Sequence, residues 1–150
     1  METKKIMKTI EIEAPKENVW KVLHEDQFTR AWYAEFCEGT HAETDWQPGS
    51  KAIFKDNSNN GIVGKIIDNR PNEYLAIEYD GMIVNDIEDY ESEWAKTVQG
   101  SRETYQLTGQ NGATELNISC DMAESHFEEM SVAWDKALLK IKTMAEGLQN

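Results

Sequence analysis

The sequence predicts an α+β domain in which a curved antiparallel sheet of six or seven strands wraps around one long C-terminal helix. Three patterns carry that expectation. Apolar residues alternate with a period of two through much of residues 39–122. A single amphipathic stretch follows, with apolar residues at helical spacing from Phe127 to Leu148. Two short helical patterns separate the first strand from the others. No repeat, low-complexity tract or linker divides the 150 residues, so residues 1–150 read as one domain.

Residues 4–13 read as the first strand, with Ile6, Ile10 and Ile12 on one face and Thr9, Glu11 and Glu13 on the other. Ala14-Pro15 ends it. Pro15 suits the first position of a helix running to about His24, whose apolar side is Val19, Trp20 and Leu23. Asp26 can cap a second short helix carrying Phe28, Trp32 and Tyr33. Strands follow near 39–46, 50–56, 61–69, 73–83, 99–109 and 113–122. Gln47-Pro48-Gly49 has the composition of a type II turn, and Asn111-Gly112 is a strong hairpin signal.

Around that hairpin one face is polar throughout, from Arg102, Thr104, Gln106 and Thr108 to Glu115, Asn117, Ser119 and Asp121. Glu103, Tyr105, Leu107, Leu116, Ile118, Cys120 and Met122 therefore face a cover. The cover is the last segment. Ser125-His126-Phe127-Glu128 reads as a capping box, and the stripe is Phe127, Met130, Trp134, Leu138, Ile141, Ala145 and Leu148. A helix over 125–147 spans about 34 Å at ~1.5 Å per residue, the height of a ten-residue strand.

Seven strands would turn roughly 28 side chains towards a helix whose stripe has only seven. The sheet must curl, and a curled sheet closed by one rod tends to enclose a cavity. Alternatively, Trp20, Trp32, Trp46, Trp94 and Trp134 fill that space themselves.

Composition removes several functions. With 28 acidic and 15 basic residues the net charge is −13, which repels phosphate and argues against nucleic-acid binding. No apolar run reaches the ~18 residues of a membrane span, and no signal peptide is read, so a cytoplasmic protein is expected. Cys37 and Cys120 match no metal spacing and read as reduced thiols in small core positions.

Ile10-Glu11-Ile12-Glu13-Ala14-Pro15, followed by Val19-Trp20, resembles the opening of the SRPBCC superfamily. Trp46-Gln47-Pro48-Gly49-Ser50, Gly64-Lys65-Ile66-Ile67 and Gly112-Ala113-Thr114-Glu115-Leu116 are similar to later motifs of one branch. That branch is named for the activator of a heat-shock-protein ATPase. The resemblance implies the START-like helix-grip fold over nearly the whole chain. It also implies hydrophobic-ligand binding, the role usually given to members of this size. The superfamily spans lipid carriers, receptors, cyclases and oxygenase subunits, so the fold alone does not fix the activity.

The chain has no phosphate-binding Gly-rich loop, nucleophile elbow, His-Glu-x-x-His or Cys-x-x-Cys. His24, His41 and His126 fall at element ends, where solvated histidines are expected. Asp56 to Gly61 opens like a calcium loop, but Ile67 stands where the bidentate Glu belongs, so it reads as a hairpin turn. Residues 80–98 are acidic yet carry Tyr90 and Trp94. They form either a solvated connection or a lid over the cavity mouth, with a helical turn at 90–96.

Glu103 has inward parity, which is costly for an unpaired carboxylate. Three placements are compatible with the pattern: water at the open end of the sheet, a pair with Lys8 or another partner, or contact with a ligand. The candidate ligand-binding residues are thus Trp32, Tyr33, Trp94, Glu103, Tyr105, Phe127, Met130 and Trp134. No catalytic residue, metal or cofactor is expected. The leading function is reversible binding of a small apolar molecule. The alternatives are a co-chaperone-like module whose acidic surface meets a basic partner, and a cyclase-like or hydrolytic enzyme using Glu103 and Tyr105.

Overall fold

The computed structural model describes residues 3–148. The chain runs β1 (Thr3–Ile12), α1 (Lys16–His24), α2 (Asp26–Tyr33), β2 (His41–Glu43), β3 (Lys51–Lys55), β4 (Gly61–Arg70) and β5 (Tyr74–Val84). It continues through β6 (Ile87–Asp89), α3 (Glu93–Val98), β7 (Arg102–Gln110), β8 (Ala113–Ala123) and α4 (Phe127–Glu146). The strands form one eight-stranded antiparallel sheet in the order β1-β8-β7-β5-β4-β3-β2, with β6 paired to the end of β5. This is the α+β arrangement the sequence predicts, with one additional short strand.

Local chemistry sets the turns. Asn111 and Gly112 both adopt positive φ, 52° and 82°, as a two-residue turn between twisted strands requires. The Ser50 N–H donates to the Gln47 carbonyl at 2.9 Å across the Pro48-Gly49 turn. The Asp56 carboxylate accepts from the Ser58 and Asn60 N–H groups, so it shapes a hairpin rather than a cation loop.

A bulge in β5 controls which residues face inward. Val63 pairs with Gly81 and Gly64 with Tyr79, leaving Asp80 unmatched. One extra residue reverses the alternation. Tyr79 and Met82 consequently point to the concave side, while Gly81 and Ile83 point to the convex side. There Val63, Ile83 and Ala95 form a second small buried cluster apart from the main core. A Cβ on Gly81 would lie 2.8 Å from the Tyr90 ring, so this close approach needs glycine.

The 80–98 segment is largely exposed, as a solvated connection would be, and carries the short helix α3 near the expected helical turn. It supplies the end of β5, the β6 hairpin and α3, where Ala95 is buried against β5 and the Trp94 ring lies 6.3 Å from that of His126 at the start of α4. The bulge is the physical reason, because it turns Val63, Gly81 and Ile83 outward and gives the segment an apolar surface to cover.

The two halves of α4 are held unequally. Trp134, Ala137, Leu138, Ile141 and Ala145 are buried, whereas no residue from 127 to 133 is. Asn18 Nδ2 donates to the Ala145 carbonyl at 3.3 Å, Lys142 Nζ to the Glu11 carbonyl at 3.1 Å and Lys140 Nζ to the Ala31 carbonyl at 3.0 Å. These bonds fasten the C-terminal half to α1, β1 and α2. The expected capping box does not form: Glu124–His126 is a single 3-10 turn, and no side chain caps α4.

Other expectations are corrected as well. Pro15 precedes α1 instead of opening it, with extended backbone and its carbonyl accepting from the Asn18 N–H. Cys37 is exposed in the loop after α2, with Sγ 3.5 Å from Asp56, because α2 has already ended and nothing covers the turn. His24 is not solvated. Its ring lies 4.2 Å from Trp20 and 4.8 Å from Trp46, and burial lowers its pKa. No helix of the described residues is long and apolar enough to cross a membrane.

The unequal hold on α4 has a measurable consequence. Ile141→Ala should cost about 2–5 kcal/mol of unfolding free energy. Val132→Ala, at a position 52% exposed on the same helix, should change it by no more than about 0.5 kcal/mol. Urea denaturation of both variants checks the difference.

Candidate functional site

The pairing of β7 with its two neighbours assembles the site. Glu103, the second residue of β7, lies opposite Ile77 of β5 and Cys120 of β8. Two residues further along each strand the side chain returns to the same face, which brings in Tyr79 and Tyr105. The Tyr79 hydroxyl donates to Glu103 Oε1 at 3.1 Å, and the Tyr105 hydroxyl donates to Oε2. The Cys120 thiol approaches Oε1 at 3.7 Å.

No cation reaches this carboxyl among the described residues. Lys8, which shares the inward parity of β1, extends to Asp135 of α4 at 2.6 Å instead. The partners of Glu103 are therefore two hydroxyls and a thiol. Glu103 itself keeps partial solvent contact while its carboxyl is densely surrounded by protein. That combination fits a group near the start of β7 whose carboxyl is turned inward.

The electrostatics follow from this placement. Burial pushes the Glu103 carboxyl above the usual carboxylate range, and the three donors pull in the opposite direction. Burial, reinforced by the charge of Glu103, raises the Tyr33, Tyr79 and Tyr105 hydroxyls well above their ordinary value. The Cys120 thiol is raised for the same two reasons.

Aromatic rings occupy the space between this carboxyl and α4. Trp134 lies 6.0 Å from Trp32, 6.0 Å from Tyr105 and 4.9 Å from Phe36, measured between ring centroids. A second series runs from Tyr33 to Phe54 at 6.0 Å and on to Tyr79 at 6.1 Å. Most of these pairs are tilted or edge-on, the arrangement that ring quadrupoles favour. These rings lie in the interior that the count of inward residues leaves to be filled.

Two open grooves flank α4 instead. One of about 220 Å³ lies between the end of α2 and α4, with Phe36 and Met130 in its walls. The other, about 400 Å³, lies between β1 and α4 beside Lys8, Ile10 and Leu139. Neither reaches Glu103.

Five of the eight sequence-predicted residues come together here: Trp32, Tyr33, Glu103, Tyr105 and Trp134. The other three lie outside this group, although Phe127 and Met130 still pack partly against the core. Met130 lines the smaller groove, Phe127 lies beneath Lys4 with Nζ 5.4 Å from its ring, and Trp94 is 60% exposed with its ring 6.3 Å from that of His126. Sequence reasoning missed Phe36, Phe54 and Tyr79 as members of the cluster. The alternation of Leu75, Ile77 and Tyr79 could have revealed Tyr79. The Asn111-Gly112 hairpin register already places Cys120 opposite Glu103.

A family model described as "Activator of Hsp90 ATPase homolog 1-like protein" matches residues 13–146. The chain belongs to that family. No curated protein matches the chain. Among solved structures, the Aha1 dimer from Colwellia psychrerythraea superposes with a TM-score of 0.73 at 17% identity, covering 98% of this chain and 99% of that one. Protein MLL2253 from Mesorhizobium loti gives 0.75 at 12% identity, covering 98% and 100%. CalU16 from Micromonospora echinospora gives 0.67 at 17% identity, covering 97% and 78%. At these identities the likeness concerns the fold, which is the helix-grip arrangement. Among the described residues of this family member, no group of three His, Cys, Asp or Glu side chains is placed to hold a metal ion.

The raised pKa of Glu103 sets a direction for stability against pH. A carboxyl that holds its proton more tightly when folded stabilises the native state fully below the ordinary carboxylate range. That contribution is lost as pH rises through the raised value. Glu103→Gln removes the loss. Its melting temperature, relative to the unsubstituted protein, should therefore move in the variant's favour between about pH 4 and about pH 8. A constant offset across that range would contradict the placement of Glu103.

Proposed function

We propose that this protein reversibly binds a small, largely apolar molecule between the concave face of the sheet and the N-terminal half of α4. The observation that carries the reading is Glu103, a carboxyl held only by hydroxyls and a thiol inside a cluster of aromatic rings. For stability alone such a group is a poor choice, because its burial costs more than an apolar side chain of similar size. For a ligand site it is useful, since apolar walls with one or two fixed polar groups give both affinity and orientation.

Access follows from the unequal hold on α4. Its first turns bury no residue and have a groove on the α2 side, so they can move outward without dismantling the anchored half. A ligand entering there displaces the rings of Phe36 and Trp134, which now meet at 4.9 Å. The family membership supports a ligand-binding module, with no covalent chemistry required of it.

A second reading rests on a different observation. Val84 and Ile87 pair across the β5–β6 turn and are 47% and 69% exposed, and Trp94 is also exposed. An apolar rim on a chain of net charge −13 suits a basic protein partner, consistent with the description of the family. Such binding would weaken as salt is added.

Thermal unfolding with a panel of apolar compounds, together with native mass spectrometry of the purified protein, tests the first reading. A ligand at one hundred times its Kd should stabilise the fold by about 2.7 kcal/mol. Trp134→Phe should weaken that response by removing part of the wall. If nothing copurifies and no compound stabilises the protein, the ligand-binding reading falls.

A further inference from the structure

We infer that the ligand carries a cationic nitrogen, as in an arylalkylamine or alkylammonium compound, and that this nitrogen docks against the Glu103 carboxylate. The inference rests on the ligand-binding reading above and adds the chemical class of the ligand.

Three features point to it. A carboxylate offers about four lone-pair positions. In Glu103, Oε1 receives Tyr79 and Cys120, whereas Oε2 receives Tyr105 alone, so acceptor capacity remains on Oε2. Every existing partner is neutral, and no Lys, Arg or His forms an ion pair with Glu103 among the described residues. A cation would thus meet an uncompensated acceptor instead of having to displace a resident one.

The walls suit the same charge. Tyr79, Tyr105, Trp32 and Trp134 gather beside the carboxyl, and the negative faces of such rings attract ammonium groups once water is excluded. The chain as a whole carries a net charge of −13, which draws cations to it and repels carboxylates and phosphates. Fatty acids and phosphorylated lipids are therefore poor fits, although their chains would suit the walls. A neutral alcohol could occupy the same walls and donate to the carboxylate, but it would form no ion pair there.

Three probes of similar shape separate these cases: naphthylethylamine, naphthylethanol and naphthylacetate. Each is titrated onto the full chain, with binding read from tryptophan fluorescence and calorimetry. The amine should bind roughly tenfold more tightly than the alcohol, because its donor is charged as well as the acceptor, and the acetate should bind most weakly. Glu103→Gln should abolish the amine's advantage over the alcohol, since the amide keeps an acceptor oxygen for either probe but carries no charge. Tyr79→Phe, which removes a competing donor from Oε1, should preserve or enlarge the amine's advantage, and this test stands even if the Gln variant fails to fold.

Equal binding of amine and alcohol would overturn the inference while leaving the ligand-binding reading in place. So would an amine preference that survives Glu103→Gln, which would belong to the acidic surface, or one that is lost in Tyr79→Phe. If none of the three probes binds, the inference falls, and the ligand-binding reading is decided by the thermal panel and native mass spectrometry above.

Discussion

An eight-stranded sheet curled around one helix has more concave surface than that helix can cover, and the rest of this structure follows from the mismatch. The chain resolves it with aromatic rings contributed from several directions. Trp32 and Tyr33 come from α2, Phe54, Tyr79 and Tyr105 from the sheet, and Trp134 from α4. Few side chains of other kinds could fill so wide a gap from so few positions, which explains how a chain this charged folds at all. The same solution leaves an interior built of flat, separable pieces instead of interlocked aliphatic chains.

The position of Glu103 depends on a less visible constraint. Without the bulge at Asp80, strict alternation would tie the start and the end of β5 to the same phase. The bulge lets Tyr79 reach Glu103 on the concave side while Ile83 is buried on the convex side. One unmatched residue thus serves two surfaces at once. It completes the hydrogen bonds around the buried carboxyl and gives α3 a place to pack.

Much of the architecture was legible in the sequence because its signals are local. Positive-φ residues at Asn111-Gly112, the alternation of Ile6, Ile10 and Ile12, and the helical spacing of Trp134, Leu138, Ile141 and Ala145 each act over a few residues. The inward parity of Glu103 came from the same source. The partners of Glu103 were only partly legible, since the Tyr79 contact depends on the pairing of strands distant in sequence. The bulge at Asp80 and the short strand β6 were not legible, because a bulge carries no compositional signature. His24 was misread because its neighbour Trp46 is brought to it by Asn69, whose Nδ2 donates to the Trp46 carbonyl at 3.0 Å. The capping box at Ser125 failed for a related reason: the pattern was present, but β8 enters α4 through a 3-10 turn that keeps its geometry from forming.

Stability and access are divided along a single helix. From Trp134 onward, α4 is buried on one side and bonded to α1, α2 and β1, so that half carries the fold. Before Trp134 no residue is fully buried, and Phe127 and Met130 pack only partly against the core. Glu103 sits beneath the boundary region, where its neutral partners offset only part of its desolvation. A uniformly clamped helix over an apolar floor would be more stable. The observed arrangement gives up some of that stability at one carboxyl and in the first turns of α4, beside the ring cluster of Trp32, Tyr105 and Trp134.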